Sequence, residues 1–168
     1  MHVFGQLVWI MAALKWGDWI HWQKYQSTML YAVSACLLYE VLTSSYPIWV
    51  YSDFWVSGHT LNSLSLTLIG LPLSTLVFLS HFPEYSIRRQ IIYVICWVLL
   101  YSLIELTYVV IGLFHYYHGW TFWWSVLFNC ITFPMLRLHF KRPLIAFGVS
   151  FPIVISFIVI FHVPILNN

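Results

Sequence analysis

Long apolar runs separated by short polar connections dominate the chain. The longest, Ile91 to Phe114, contains a single charged residue, Glu105, and is predicted to be the central helix. At ~1.5 Å of rise per residue this run makes a helix about 36 Å long, enough to cross a hydrocarbon layer of ~30 Å. Because the runs are continuous rather than alternating, they predict transmembrane helices and not the strands of a β-barrel.

The pattern predicts an all-α fold, a polytopic bundle of six transmembrane helices in one domain, residues 1–168. The predicted helices cover residues 3–22, 25–46, 60–80, 91–114, 120–136 and 144–161. The first apolar run is short, so it spans only if the helix continues to Trp22, with Lys15 and Asp18 paired at a spacing of three. Alternatively, this helix lies on the membrane surface and five spans remain.

Composition supports a membrane protein. Hydrophobic residues make up 61% of the chain and charged residues 7%, against about 25% charged residues in soluble domains. Cys36, Cys96 and Cys130 lie inside apolar runs without the spacing of a metal finger, and they are interpreted as packing residues. The lipid bilayer is therefore the expected environment.

Lysine and arginine occur in alternate connections only. All seven lie at 15–24, 81–90 and 137–142: Lys15, Lys24, Arg88, Arg89, Arg137, Lys141 and Arg142. Because basic loops stay on the cytoplasmic side, these three connections are predicted to be cytoplasmic and the C-terminus extracytoplasmic. This topology accounts for the net charge of +2, which therefore does not indicate a nucleic-acid partner.

Two acids, Glu40 and Glu105, lie deep within predicted spans. Each follows a cytoplasmic lysine or arginine by sixteen residues, which predicts a similar depth in the outer part of the bundle. Two such carboxyls can share a proton or a small cation, because like charges close together do not both ionise cheaply. Tyr101 and Tyr108, on the same helix face as Glu105, are the expected hydrogen-bond partners. The alternative is two protonated acids with a structural role only.

Three histidines, His59, His115 and His118, fall on the predicted outer side. His115 and His118, at helical spacing, are candidates to present two imidazoles to one metal ion. The alternative is that they are interfacial residues among tryptophan and tyrosine, and no cofactor is predicted.

Small side chains recur on the third predicted helix at spacings of three and four: Ser63, Thr67, Gly70 and Ser74. In a membrane such a face lets a neighbouring helix approach closely. The alternative is a face that lines a polar pathway.

The run from His118 to Asn129, HGWTFWWSVLFN, continues into FPMLRLHFKRP, which ends at Pro143. These motifs resemble a family of small multi-helix membrane proteins from spore-forming Gram-positive bacteria, and the likeness extends over most of the chain. The resemblance implies helical membrane architecture and a bacterial plasma-membrane location. It implies no activity and assigns no site residue.

Motifs of hydrolases, zinc proteases, nucleotide-binding loops and dinucleotide-binding folds are absent from the sequence, so no enzyme is indicated. Two hypotheses follow. In the first, the buried acids bind a proton or small cation in a minimal transporter or sensor subunit. In the second, the small-residue face and the aromatic rims mediate assembly, either as a homo-oligomer or with a larger membrane protein.

Overall fold

The structure, a computed structural model, describes residues 2–51 and 63–164, with side chains from Gly5 onward. Six helices lie in these ranges: α1 His2–Trp16, α2 Gln23–Leu42, α3 Ser63–Ser80, α4 Ile87–Val110, α5 Phe122–Lys141 and α6 Pro143–Ile160. Two short strands, β1 Trp49–Tyr51 and β2 Phe114–Tyr116, pair antiparallel. The all-α prediction is confirmed apart from this small sheet, and α3, α4 and α6 are long and apolar enough to cross a membrane.

Helices α2, α3, α4 and α5 form a ring: α2 packs against α3 and α5, α4 packs against α5, and aromatic side chains of α4 reach across to α3. Helix α1 lies outside the ring and runs parallel to α3. Gln6 Nε2 donates to Ser65 Oγ (2.5 Å), and the Asp18 backbone N–H donates to Ser80 Oγ (3.1 Å) at the other end of the contact. Helix α6 packs on the opposite side, against α5.

Helix α3, rather than α4, is the structural centre. Half of the positions in α3 are buried, whereas the buried residues of the 24-residue α4 are Trp97, Val98 and Ser102 alone. The Phe78 side chain is fully enclosed, and its ring centroid lies 5.1–5.6 Å from those of Phe82, Tyr93, Trp97 and Phe133. The prediction that the longest apolar run forms the central helix is therefore wrong, because most apolar side chains of α4 face outward.

Helix α3 contains a π-helical turn, Leu66–Gly70, in which the Leu71 N–H donates to the Leu66 carbonyl. Pro72 follows immediately and has no N–H to donate. Its ring also crowds the carbonyl four residues earlier. The wider turn relieves this crowding, so α3 continues through Pro72 to Ser80.

The first helix ends at Trp16 instead of Trp22, and the predicted pairing of Lys15 with Asp18 is wrong. Asp18 lies in the turn after α1, where its carboxylate is 3.0 Å from His21 Nδ1 and accepts a hydrogen bond from Tyr25. Lys15 Nζ lies over the Trp16 ring instead, 4.9 Å from its centroid. The carboxylate therefore stabilises the turn rather than a longer helix.

Three other helix ends differ from the predicted ones. Helix α2 ends at Leu42, not Tyr46. Helix α4 begins at Ile87, because the Ser86 side chain accepts the Arg89 N–H and caps the first turn. Helix α5 continues through the predicted basic connection to Lys141 and stops there, because Arg142 precedes a proline and adopts an extended conformation.

The three basic connections lie at one end of the molecule, called here the basic end. Glu84, between α3 and α4, accepts a 2.5 Å hydrogen bond from Arg137 Nη2 and lies 3.2 Å from Lys141 Nζ, both on α5. Lys24, at the start of α2, places its Nζ 5.5 Å from the centroid of the Phe140 ring. The β1–β2 pair and its surrounding rings form the opposite end, called here the aromatic end.

The central role of Phe78 predicts a large effect of truncation. Phe78→Ala should lower the free energy of unfolding by about 3–5 kcal/mol, because a fully enclosed ring is replaced by a cavity. Phe151→Ala on α6, where the side chain is 71% exposed, should cost much less. Unfolding titrations in mixed micelles measure both, and equal losses would contradict the central role of α3.

The Glu84 cluster predicts a pH effect at the basic end. Slight desolvation opposes ionisation, but the hydrogen bonds from Arg137 and Lys141 outweigh it and lower the pKa of Glu84 below 4.5. A lowered folded-state pKa contributes stability that is present above pH 4.5 and is lost as the pH falls through the folded value. Because Glu84 is well exposed, its contribution should be below ~1 kcal/mol.

Wild type should therefore be slightly more stable than Glu84→Gln at neutral pH, and the difference should vanish in acid. Paired unfolding titrations across the acid range measure it. A difference that persists unchanged at the acid end would show that the ion pairs do not cause it.

Candidate functional site

The aromatic end joins the two connections that hold no lysine or arginine. Strand β1 follows α2 and strand β2 follows α4, and Trp49 is paired with Tyr116. His118 adopts a positive φ of 51°, and its Nδ1 lies 2.9 Å from the Pro47 carbonyl oxygen, which ties the turn after β2 to the start of β1. The sequence did not predict these strands, because three residues are too few for an alternation of apolar and polar positions to be recognised.

Glu105 on α4 accepts a 2.5 Å hydrogen bond from the Tyr116 hydroxyl. Ser125, near the start of α5, also lies beside Glu105, and its hydroxyl accepts a 2.8 Å hydrogen bond from Trp120 Nε1. The chain reverses after α4 at Gly112, whose φ of 73° favours glycine, and this turn brings β2 back beside Glu105. Sequence reasoning missed Tyr116, although Gly112 between it and Glu105 was a signal that the chain turns back.

The tyrosines predicted to partner Glu105 have other neighbours. Tyr101 donates to Ser74 Oγ on α3 at 2.6 Å, so its predicted role as the partner of Glu105 is wrong. Tyr108 packs edge-on against Tyr51 and lies so close to α1 that a Cβ at Gly5 would come within 2.6 Å of its hydroxyl. Spacing along one helix could not reveal these contacts, because they depend on neighbouring helices.

Glu40 on α2 accepts a short hydrogen bond from Ser63 Oγ on α3. One turn earlier on α2, Cys36 Sγ lies 3.1 Å from Thr67 Oγ1. These two contacts form a polar seam between α2 and α3. Both acids are half-buried.

The small-residue face of α3 is buried inside the molecule. Ser63 and Thr67 face α2, and Gly70 faces α1, where a Cβ would lie 3.7 Å from Trp9. Ser74 faces α4 through its bond to Tyr101. The small residues of α3 therefore contact three different helices, α2, α1 and α4, at successive positions along α3.

The two acids have different immediate partners but belong to the same end of the bundle. Tyr39, beside Glu40 in sequence, stacks on Trp49 with centroids 3.9 Å apart and accepts its backbone N–H. Trp49 is paired with Tyr116, which donates to Glu105. The aromatic end thus links the surroundings of the two carboxyls through side chains and one strand pair.

Neither acid has a basic partner in the part of the chain that the structure describes. The ion pairs found there involve Asp18 and Glu84 only, both outside the helices. The donors to Glu40 and Glu105 are neutral hydroxyls. If either carboxyl were ionised, no positively charged side chain among the described residues would balance its negative charge.

The phenols of the strand pair are held in their protonated, donating form. Burial raises the pKa of Tyr116, and the hydrogen bond to Glu105 raises it further. Burial also raises the pKa of Tyr51. At neutral pH both groups can therefore donate hydrogen bonds but cannot supply a negative charge.

The candidate metal-binding histidines do not have the predicted geometry. His115 lies in β2, with Nε2 3.1 Å from the Gly112 carbonyl oxygen, and His118 stacks on Tyr46 in the following turn. The helical spacing assumed for this pair is wrong, and His59 falls outside the described residues. Within 2–51 and 63–164, no group of three or more histidine, cysteine or acidic side chains could hold a metal ion.

No protein-family model, curated protein or solved structure matches this chain. The candidate site therefore has to be interpreted from its own geometry.

Proposed function

We propose that this chain is a multi-pass membrane protein that binds a proton or a small cation at Glu40 and Glu105, as a minimal transporter or sensor subunit. The observation that carries this proposal is the absence of any basic partner for these acids among the described residues. An uncompensated carboxylate in an apolar bundle is costly, and binding a proton or a cation removes most of that cost.

The hydroxyl partners suit either ligand. A carboxylate can accept from the Ser63 or Tyr116 hydroxyl, and a protonated carboxyl keeps an oxygen that accepts the same bond. A hard cation such as sodium prefers oxygen ligands, which the carboxylates and hydroxyls supply. The position of Glu105 beside β2 favours exchange of the ligand with the solution at the aromatic end.

We also propose six spans, with the basic end in the cytoplasm of a bacterial cell. Helix α1 has 15 residues and is about 22 Å long, but it packs lengthwise on α3, which favours insertion over a position on the membrane surface. The clustering of all basic connections at one end supports the orientation, because positively charged loops stay inside. The plasma-membrane location rests on the resemblance of residues 118–143.

The alternative, a role in assembly with another membrane protein or a second copy, has less support. The small-residue face on which it depended is already used for internal contacts of α3. An assembly role would have to use the outward surface of α6 or the exposed rim residues, such as Trp123.

Substitution of Glu105 tests the proposed site. Glu105→Gln keeps the shape and an oxygen for Tyr116, so the variant should match wild type in stability. If Glu105 makes the melting temperature depend on sodium or on pH near neutrality, that dependence should be absent from Glu105→Gln. Glu105→Ala leaves the partly buried Tyr116 hydroxyl without its carboxyl partner and should cost ~1–3 kcal/mol.

The matched control is Glu84→Gln, which removes an exposed acid at the basic end. It should leave the response to sodium and to near-neutral pH unchanged. A Glu105→Gln variant that responds to both as wild type does would exclude Glu105 as the binding group.

Cysteine labelling tests the orientation. In a variant without the native cysteines, Tyr117→Cys should react with an impermeant thiol reagent on intact cells, and Tyr85→Cys should react only after permeabilisation. Both side chains are exposed, so access depends on the membrane side alone. Reaction of Tyr85→Cys in intact cells would reverse the orientation, and labelling of His2→Cys from outside would support six spans over five.

A further inference from the structure

A cavity of about 280 Å³ lies between α2, α5 and α6. Trp49 and Trp120 line it toward the aromatic end, and Tyr31 and Ser150 line it further toward the basic end. Neither Glu40 nor Glu105 contributes to its lining, so it is separate from the proposed acid site.

The walls are hydrocarbon from all three helices. They include Ala35 and Leu38 on α2, Met135 on α5, and Ile153 and Phe157 on α6. Both α2 residues are also exposed on the surface of the molecule, so the cavity opens sideways rather than toward either end. In a bilayer that opening would face lipid.

The hydroxyl groups that line the cavity already have partners. Tyr31 and Ser150 hydrogen-bond to each other at 2.6 Å, Thr43 donates to the Tyr39 carbonyl, and Thr132 donates to the Phe128 carbonyl. The Tyr39 hydroxyl, which also lines the cavity, accepts the Trp49 N–H. A buried water needs two to four polar partners, and the lining hydroxyls already use hydrogen-bonding capacity within the protein, so a water here is poorly supported. The chemistry therefore selects an occupant without hydrogen-bonding groups.

We propose that this cavity binds one acyl chain of a membrane phospholipid, which enters from the side past Ala35. The volume lies just below the ~300–1,000 Å³ of pockets that hold drug-sized molecules, which favours one chain over a bulky ring system. The polar headgroup stays outside the cavity, because the lining has no free group to bind it.

The experiment uses purified wild-type protein in phosphatidylcholine vesicles that contain a lipid with a photoreactive diazirine on one acyl chain. Crosslinks should be enriched at Met135 in the cavity over Phe133, a residue of the same helix that is buried against Phe78 and does not line the cavity. Ala35→Phe fills the opening and should reduce crosslinking at Met135 by about tenfold, equivalent to ~1.4 kcal/mol of binding free energy.

The matched control is Ser34→Phe, which adds the same ring at an exposed neighbour outside the cavity and should leave the crosslinks at Met135 unchanged. The proposal is overturned if wild-type Met135 reacts no more than Phe133, or if Ala35→Phe leaves the reaction of Met135 intact. If Ala35→Phe fails to fold, the comparison of Met135 with Phe133 in wild type decides.

Discussion

Burial of α3 is the constraint on which the rest of the structure depends. Leu76 and Phe78 are fully enclosed, α1 and α2 pack closely against the same helix, and aromatic side chains of α4 cover its remaining side. The small side chains of α3 make these close approaches possible, because bulky residues would hold the neighbouring helices apart. This packing also decides which polar groups meet: Ser63 reaches Glu40, and Ser74 reaches Tyr101.

The positions of the two acids follow from this arrangement. Glu40 faces α3 on one side of the ring, and Glu105 faces β2 and α5 on the other. Their described donors are neutral hydroxyls, whereas Asp18 and Glu84, outside the helices, have histidine or basic partners. That contrast between the two pairs of acids is the basis of the proposed proton or cation binding.

The sequence was most informative where one physical rule dominates. Continuous apolar runs indicated helices, and the distribution of lysine and arginine predicted which connections share an end. It was least informative where partners come from distant segments. Tyr101 looked suitable for Glu105 by helical spacing, but Ser74 on α3 is closer, and Tyr116 reaches Glu105 only because the chain reverses at Gly112. The strand pair and the lateral cavity likewise depend on packing that no local pattern encodes.

The central claim is that at least one spanning-region acid is neutralised by a proton or a cation, and infrared spectroscopy tests it most directly. Spectra of isotopically labelled glutamate in sodium-free buffer, from about pH 5 to pH 9, separate protonated carboxyls from carboxylates. If a proton neutralises the acid, a protonated-carboxyl band should be present at neutral pH and should disappear in Glu40→Gln or Glu105→Gln. If a cation neutralises it, the carboxylate band of one of these residues should shift when sodium is added. Spectra in which both acids remain ionised throughout and do not respond to sodium would contradict it.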